Sequence, residues 1–342
     1  MAQPNIVLIV CDQLRGDCLG AAGHPDVKTP YLDTLAAEGT LFEHAYSACP
    51  SCIPARAGLL TGRAPSSHGR VGYQDGVDWT YNHYLAEELG SAGYQTACVG
   101  KMHVHPPRLA CGYQTLRLHD GYIGHYRHAD TPYWHHQAVS DDYMRDMRDR
   151  LGASFDVNGS GVENNSWITH PWIYEERYHP TNWVVDESIR FLETRDRTRP
   201  FFLTASFVRP HPPFDAPQSY YDLYPGHDLR PPASGDWDDT EATERAYVHG
   251  EHARDVEQSN HYIVTPHDKY IWFSQTGREQ YFDLAVDPRE EHDAIADPVY
   301  ADRVAELRAA LVAELAGREE GFVCDGRLVP GRPLTNMLEH SA

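Results

Sequence analysis

The stretch Asn5-Ile6-Val7-Leu8-Ile9-Val10-Cys11-Asp12-Gln13 decides the fold. Five apolar residues run from Ile6 to Val10 without a polar interruption, which reads as a buried strand of a parallel sheet. The run stops at Asp12, so Asp12 and Gln13 fall at the carboxyl end of that strand. In open α/β sheets this is the edge where ligands bind. An adjacent carboxylate and amide oxygen suit a hard divalent cation. The same pair also suits a turn or a helix cap.

Working outward, Thr29 predicts an N-cap with Pro30 at the first position of a helix that Gly39 closes. Thr40–Tyr46 predicts a second strand. Pro54–Leu60 predicts a helix with Cys52 at its N-terminus, and Tyr84–Leu89 another, ended by Gly93. Gln95–Gly100 reads as a strand with Lys101 and His103 just past its end. Residues 105–180, rich in His, Tyr, Trp and Asp, show few regular periods and read as excursions over the ligand-binding face. The aromatic stretch 119–136 is expected to line a pocket. Val184–Leu192 predicts a helix. Pro200–Phe207 predicts a core strand leading into Arg209-Pro210-His211-Pro212-Pro213. After a turn-rich acidic stretch at 225–246, Tyr262–Val264, Lys269–Phe273 and Glu279–Leu284 predict an antiparallel meander. Val304–Leu315 is an amphipathic helix to cover it. This pattern predicts an α/β domain over residues 1–246 and a C-terminal subdomain over 247–342.

The 342 residues suffice for a large core. The formal net charge of -21 argues against a nucleic-acid partner and against docking on anionic membranes. An anionic substrate would therefore need a local positive focus. No apolar run has the length of a membrane span, and the N-terminus lacks the basic region and cleavage site of a signal peptide, so a cytoplasmic location is expected. The seven cysteines are scattered, as reduced core thiols would be. Cys49-Pro50-Ser51-Cys52 also admits a thioredoxin-like or zinc reading, without the surrounding βαβ pattern that would support it.

The stretch with the most chemistry is Pro50-Ser51-Cys52-Ile53-Pro54-Ala55-Arg56-Ala57-Gly58-Leu59-Leu60-Thr61-Gly62. A thiol at a helix N-terminus is expected to have its thiolate favoured by the helix dipole. A cysteine, a proline two residues on, an arginine four residues on and a small-apolar run ending in glycine resemble the signature of the type I sulfatases. The resemblance implies the alkaline-phosphatase-like fold: a mostly parallel sheet flanked by helices, with a small C-terminal antiparallel sheet plus helix. It implies that a maturation enzyme oxidises Cys52 to formylglycine, whose hydrate attacks a small sulfate ester and later expels sulfate. It further implies a divalent metal, Ca2+ before Mn2+ or Mg2+, held by Asp12, Gln13 and the modified Cys52. Arg56 then neutralises developing charge. In Gly100-Lys101-Met102-His103, Lys101 binds a sulfate oxygen and His103 hydrogen-bonds the diol or sulfate. His211 is the general acid to the leaving group or a sulfate ligand. Tyr281-Phe282-Asp283-Leu284 and the residues after it resemble the family's C-terminal subdomain.

The chain departs from the family in one place. Members carry a later strand ending in Asp-His-Gly or Asp-Asn-Gly, which brings two further metal ligands, and no such motif occurs here. The region that would hold it is compressed into 235–247. His249, Glu251 and His252 lie just beyond and offer substitute ligands or an exposed turn. Three readings stay open: a sulfuric ester hydrolase, a phosphonate or phosphodiester hydrolase favoured by the Asp12-Gln13 form, and a truncated, catalytically impaired relative. Oligomeric state is not legible.

Overall fold

The structure is a computed structural model, describing residues 3–70, 72–121, 141–162, 165–166, 168–224, 229–238 and 259–333. The chain divides into two compact units, one carrying residues up to Leu229 and one starting at Arg230. The candidate metal ligands His249, Glu251 and His252, the stretch 239–247 and most of the expected pocket wall at 122–136 lie outside the described residues.

In the first unit the apolar runs become strands because each leaves its backbone no polar partner except another strand. They are β1 (Ile6–Cys11), β2 (Gln95–Gly100), β3 (Thr115–Leu118) and β4 (Phe201–Phe207), all parallel, in the order β1-β4-β2-β3. The helices are α1 (Pro30–Glu38), α2 (Cys52–Thr61), α3 (Pro65–His68), α4 (Leu85–Ser91), α5 (Asp142–Leu151), α6 (Pro180–Thr194) and the short α7 (Gln218–Tyr221). Successive residues of a strand point to opposite faces, and each face has its own core. Ala97, Val99, Leu203 and Ala205 pack with Trp183, Val184 and Phe191 of α6 and Tyr143, Met144 and Met147 of α5. Cys98 and Phe202 face the other way, against Ile53, Ala57 and Leu60 of α2 and Ala86 of α4.

The second unit begins with an antiparallel sheet of β5 (Asn260–Val264), β6 (Asp268–Phe273) and β7 (Glu279–Asp283). Helix α8 (Ala301–Leu315) buries Val304, Leu307, Leu311 and Leu315, the stripe expected of helical spacing, against Tyr270, Trp272 and Tyr281. The mostly parallel sheet flanked by helices and the small antiparallel sheet plus helix both match the sequence expectation.

Three local expectations are corrected. Thr40–Tyr46 forms no strand and runs as turns and coil, since strand composition alone does not supply the partner strand that a strand needs. Residues 105–180 are more regular than their composition suggests, holding β3 and α5. The polar face of α5 obscured it: Asp142, Arg145 and Arg148 sit among the buried Tyr143, Met144 and Met147. Thr29 flanks α1 but makes no capping bond. Its hydroxyl instead donates to Asp33 at 2.7 Å and accepts the Gly20 N–H at 2.8 Å. All seven cysteines are free thiols. Among the described residues no helix is long and apolar enough to cross a membrane.

At the ligand-binding edge the strand order demands a glycine. Gly100 has φ +96, and a Cβ there would lie 1.9 Å from the Ser206 carbonyl oxygen on β4. That close approach lets the Lys101 N–H donate to the same oxygen at 2.9 Å. Gly100→Ala is expected to destabilise the chain by at least about 2 kcal/mol, from positive φ and backbone overlap together. An unshifted urea midpoint would contradict this account of the strand end.

Candidate active site

Four backbone segments converge where β1, β2 and β4 end. Asp12 follows β1, and its N–H donates to the Phe207 carbonyl at 3.0 Å, which continues the parallel pairing one residue past the strand. Gln13 then turns the chain with φ 60 and is exposed. Lys101 follows β2. Helix α2 begins at Cys52 with Ser51 as extended N-cap. It closes on Gly62 in the left-handed conformation, whose N–H returns to the Gly58 carbonyl. One turn into that helix Arg56 points back under the sheet edge.

These side chains meet on one carboxylate. Asp12 is 8% exposed, and its Oδ2 accepts from Lys101 Nζ at 2.5 Å while its Oδ1 accepts from Arg56 Nη2 at 3.3 Å. Arg56 Nη1 also donates to the Lys101 carbonyl at 2.7 Å and to Ser206 Oγ at 3.2 Å. One guanidinium thereby ties α2 to the ends of β1, β2 and β4. Burial would push the Asp12 carboxyl up, but Lys101 and then Arg56 more than offset it and hold its pKa at about 2. Two buried cations share one anion, so the site keeps a local excess of positive charge within an acidic chain.

Cys52 is half-buried beside this cluster. Burial pushes its thiol pKa up. Lys101 acts against that, Asp12 with it, and Arg56 and the Ile53 N–H against it. The expectation of a favoured thiolate is therefore corrected: desolvation outweighs the helix end and the two cations. His211 comes from the loop after β4. Its Nδ1 lies 2.8 Å from the Pro212 carbonyl, which only accepts, so Nδ1 carries the proton and neutral His211 presents a lone pair at Nε2. Burial first, then Lys101, lowers its pKa to about 4. Neutral His211 is then an acceptor at Nε2.

His103 is buried just past Lys101, with φ 57. Its ring lies edge-on to Tyr73 with centroids 5.9 Å apart. The structure thus joins Asp12, Arg56 and Lys101 by direct bonds. Cys52 and His211 lie within their electrostatic reach, and His103 sits on the adjoining loop.

Sequence reasoning missed three supports. Asp120 accepts the backbone N–H groups of Met102 and His103, each at 2.9 Å, and so shapes the Lys101–His103 turn. It follows β3, which the sequence reading did not find. Ser206 was visible as a hydroxyl in the otherwise apolar end of Phe201–Phe207. The third is Asp215. It is 1% exposed and takes both Nε and Nη2 of Arg209 at 2.5 Å, while Arg209 Nη1 donates to the His211 carbonyl at 3.3 Å. The Asp215–Arg209 pair braces the loop that carries His211.

The sulfatase family model matches residues 4–265. An arylsulfatase of Clostridium perfringens is 35% identical over 477 aligned positions, covering 98% of this chain and 99% of that protein. Those positions outnumber the 342 residues of this chain, so the relative carries residues with no counterpart here. An ulvan-active sulfatase of Formosa agariphila is 36% identical over 65% of this chain, which spans only 38% of its length. Among solved structures, a phosphonate monoester hydrolase of Agrobacterium radiobacter superposes with a TM-score of 0.65 at 19% identity, over 97% of this chain and 100% of that one. At that identity the likeness is one of fold.

Burial would raise the Asp215 carboxyl, but His179 and then Arg209 hold its pKa at about 2, below the ordinary 3.8. A depressed carboxylate contributes stability that is present above about pH 4 and is lost as the pH falls through about 2. Asp215→Asn should therefore shrink the loss of unfolding free energy between pH 5 and pH 2 by about 2 kcal/mol. Urea denaturation across that range measures it, and a variant with the same acid slope as the parent would contradict the assignment.

Proposed function

Because this chain belongs to the sulfatase family, we propose that it hydrolyses a small sulfate ester at the Asp12–Cys52–Arg56–Lys101 cluster, after oxidation of Cys52 to formylglycine by a maturation enzyme. The observation that carries this reading is the pair of buried cations, Lys101 and Arg56, meeting at the N-terminus of the helix that begins with Cys52. An ester sulfate is an anion, and in a chain of net charge -21 this cluster is a positive focus beside the proposed nucleophile.

Hydrated, the formylglycine supplies the attacking hydroxyl. The chain's own residues do the rest. Lys101 Nζ is a point charge for a sulfate oxygen, and the Arg56 guanidinium, held on the Lys101 carbonyl and Ser206 Oγ, keeps its charge beside the reacting group. The Nε2 lone pair of His211 suits accepting a proton from the nucleophile more than giving one to the leaving group. In this reading His103, on the turn that Asp120 holds, is the further sulfate contact.

A divalent metal is implied by the family. Among the described residues Asp12 and Gln13 offer oxygens, but both oxygens of Asp12 already face cations, and no three His, Cys, Asp or Glu side chains cluster there. A hard cation takes six or more ligands. The described donors do not fit that shell, so no step is derived through a metal.

Peptide mass spectrometry after co-expression with a maturation enzyme should show Cys52 losing its sulfur and two hydrogens and gaining one oxygen. An unmodified Cys52 would remove the proposed nucleophile. Cys52→Ala should abolish turnover of an aryl sulfate, and Lys101→Ala should lower kcat by about 10²–10³-fold, as for loss of one preorganised electrostatic group. Assays with and without added Ca2+ or Mn2+, run in parallel on a phosphodiester, separate the two ester classes. Hydrolysis of the phosphodiester alone would replace sulfate as the substrate. Inactivity on both, with Cys52 fully modified, would assign the chain to the catalytically impaired members.

A further inference from the structure

The His103 side chain is buried, and the ring beside it is not. Tyr73 meets His103 edge-on, with centroids 5.9 Å apart and ring planes at 63°. Tyr73 is nevertheless 42% exposed. A large aromatic ring that touches a buried residue of the site and still faces solvent stands at the rim of that site.

The loop that carries Tyr73 is clamped at both ends. Residues 72–78 form neither helix nor strand. Arg70, itself buried, closes them from inside. Its Nη2 donates to the Val77 and Asp78 carbonyls, each at 3.1 Å, and its Nε to the Tyr81 hydroxyl at 2.9 Å. Its guanidinium also lies 4.8 Å from the centre of the Trp79 ring. The Tyr81 hydroxyl donates in turn to the His68 carbonyl at 2.7 Å, so the segments before and after the loop are tied together. The Trp79 N–H donates to the His105 carbonyl at 2.9 Å, which fixes the far end of the loop to the segment that follows His103. A short loop with both ends fixed has little conformational entropy left to lose when it binds, so its exposed ring is preorganised.

The sulfate-ester reading places the anion on Lys101, Arg56 and His103, and the other half of the ester must extend away from them. We propose that Tyr73 is a specificity-determining residue of this site, its exposed ring packing against a flat aromatic leaving group. The proposal rests on that reading, because the anion is what brings the leaving group to the rim. Aromatic rings that stack or meet edge-on contribute beyond the area they bury. An alkyl leaving group gains only the burial. The selectivity therefore lies in the Tyr73 ring and not in its hydroxyl.

The test measures binding without turnover, on the full chain with Cys52 unmodified. Phenyl sulfate and inorganic sulfate are titrated calorimetrically into the parent chain and into Tyr73→Ala, Tyr73→Leu and Tyr73→Phe. Loss of the ring should weaken phenyl sulfate about tenfold in the Ala and Leu variants, while inorganic sulfate changes by less than about twofold. Tyr73→Phe should bind both anions as the parent does. Equal losses for both anions would mean that Tyr73 only supports His103, and would overturn the proposal. So would an unchanged phenyl sulfate affinity without the ring, or a loss in Tyr73→Phe that matches the other variants. Binding of neither anion to the parent would overturn the proposal and the sulfate site together. Selective loss of phenyl sulfate in a chain that hydrolyses no ester after Cys52 is modified would remove the hydrolase reading and leave the role of Tyr73 standing.

Discussion

The buried carboxylate of Asp12, shared between the Lys101 ammonium and the Arg56 guanidinium, is the contact on which the ligand-binding edge depends. Each partner arrives from a different element, and none of the three charges has another described partner that could replace it. Removing the carboxylate would leave two desolvated cations side by side, the costly way to break a buried network. Arg56 extends the same contact to the backbone through the Lys101 carbonyl and the Ser206 hydroxyl. The site and the sheet end are therefore one structure.

This arrangement gives an acidic chain the local positive focus that the proposed anionic substrate would need. Long-range attraction of the substrate is poor at a net charge of -21. Around Asp12 the balance reverses, because two cations face one anion at short range and screening is weak in a buried setting. The same burial explains why Cys52 is a poor thiolate and why His211 stays neutral, since desolvation disfavours the charged form of each. Neither residue is activated by its surroundings alone.

Much of the fold was legible because its signals are local. Gln95–Gly100 forms a strand with the bounds that its sequence predicts, and Phe201–Phe207 and Ala301–Leu315 follow their apolar patterns closely. The failures are equally physical. Thr40–Tyr46 has strand composition but runs as turns and coil, and a strand is a property of two segments. Helix α5 was hidden because its arginines and aspartates carry ion pairs that composition alone does not register. One is the contact of Arg108 Nη1 with Asp142 Oδ2 at 2.9 Å.

For the site, the sequence by itself determined which residue types stand at strand and helix ends. An apolar run must stop where its polar residues begin, so Asp12, Lys101, His211 and the cysteine of α2 were nameable in advance. Only the tertiary structure decided which of them touch. The parallel order β1-β4-β2 brings residues 12, 101 and 206 to one edge, and glycine at position 100 is what lets β2 and β4 approach closely enough there. The protonation states were likewise beyond the sequence, because they follow from burial and from charges tens of residues away along the chain.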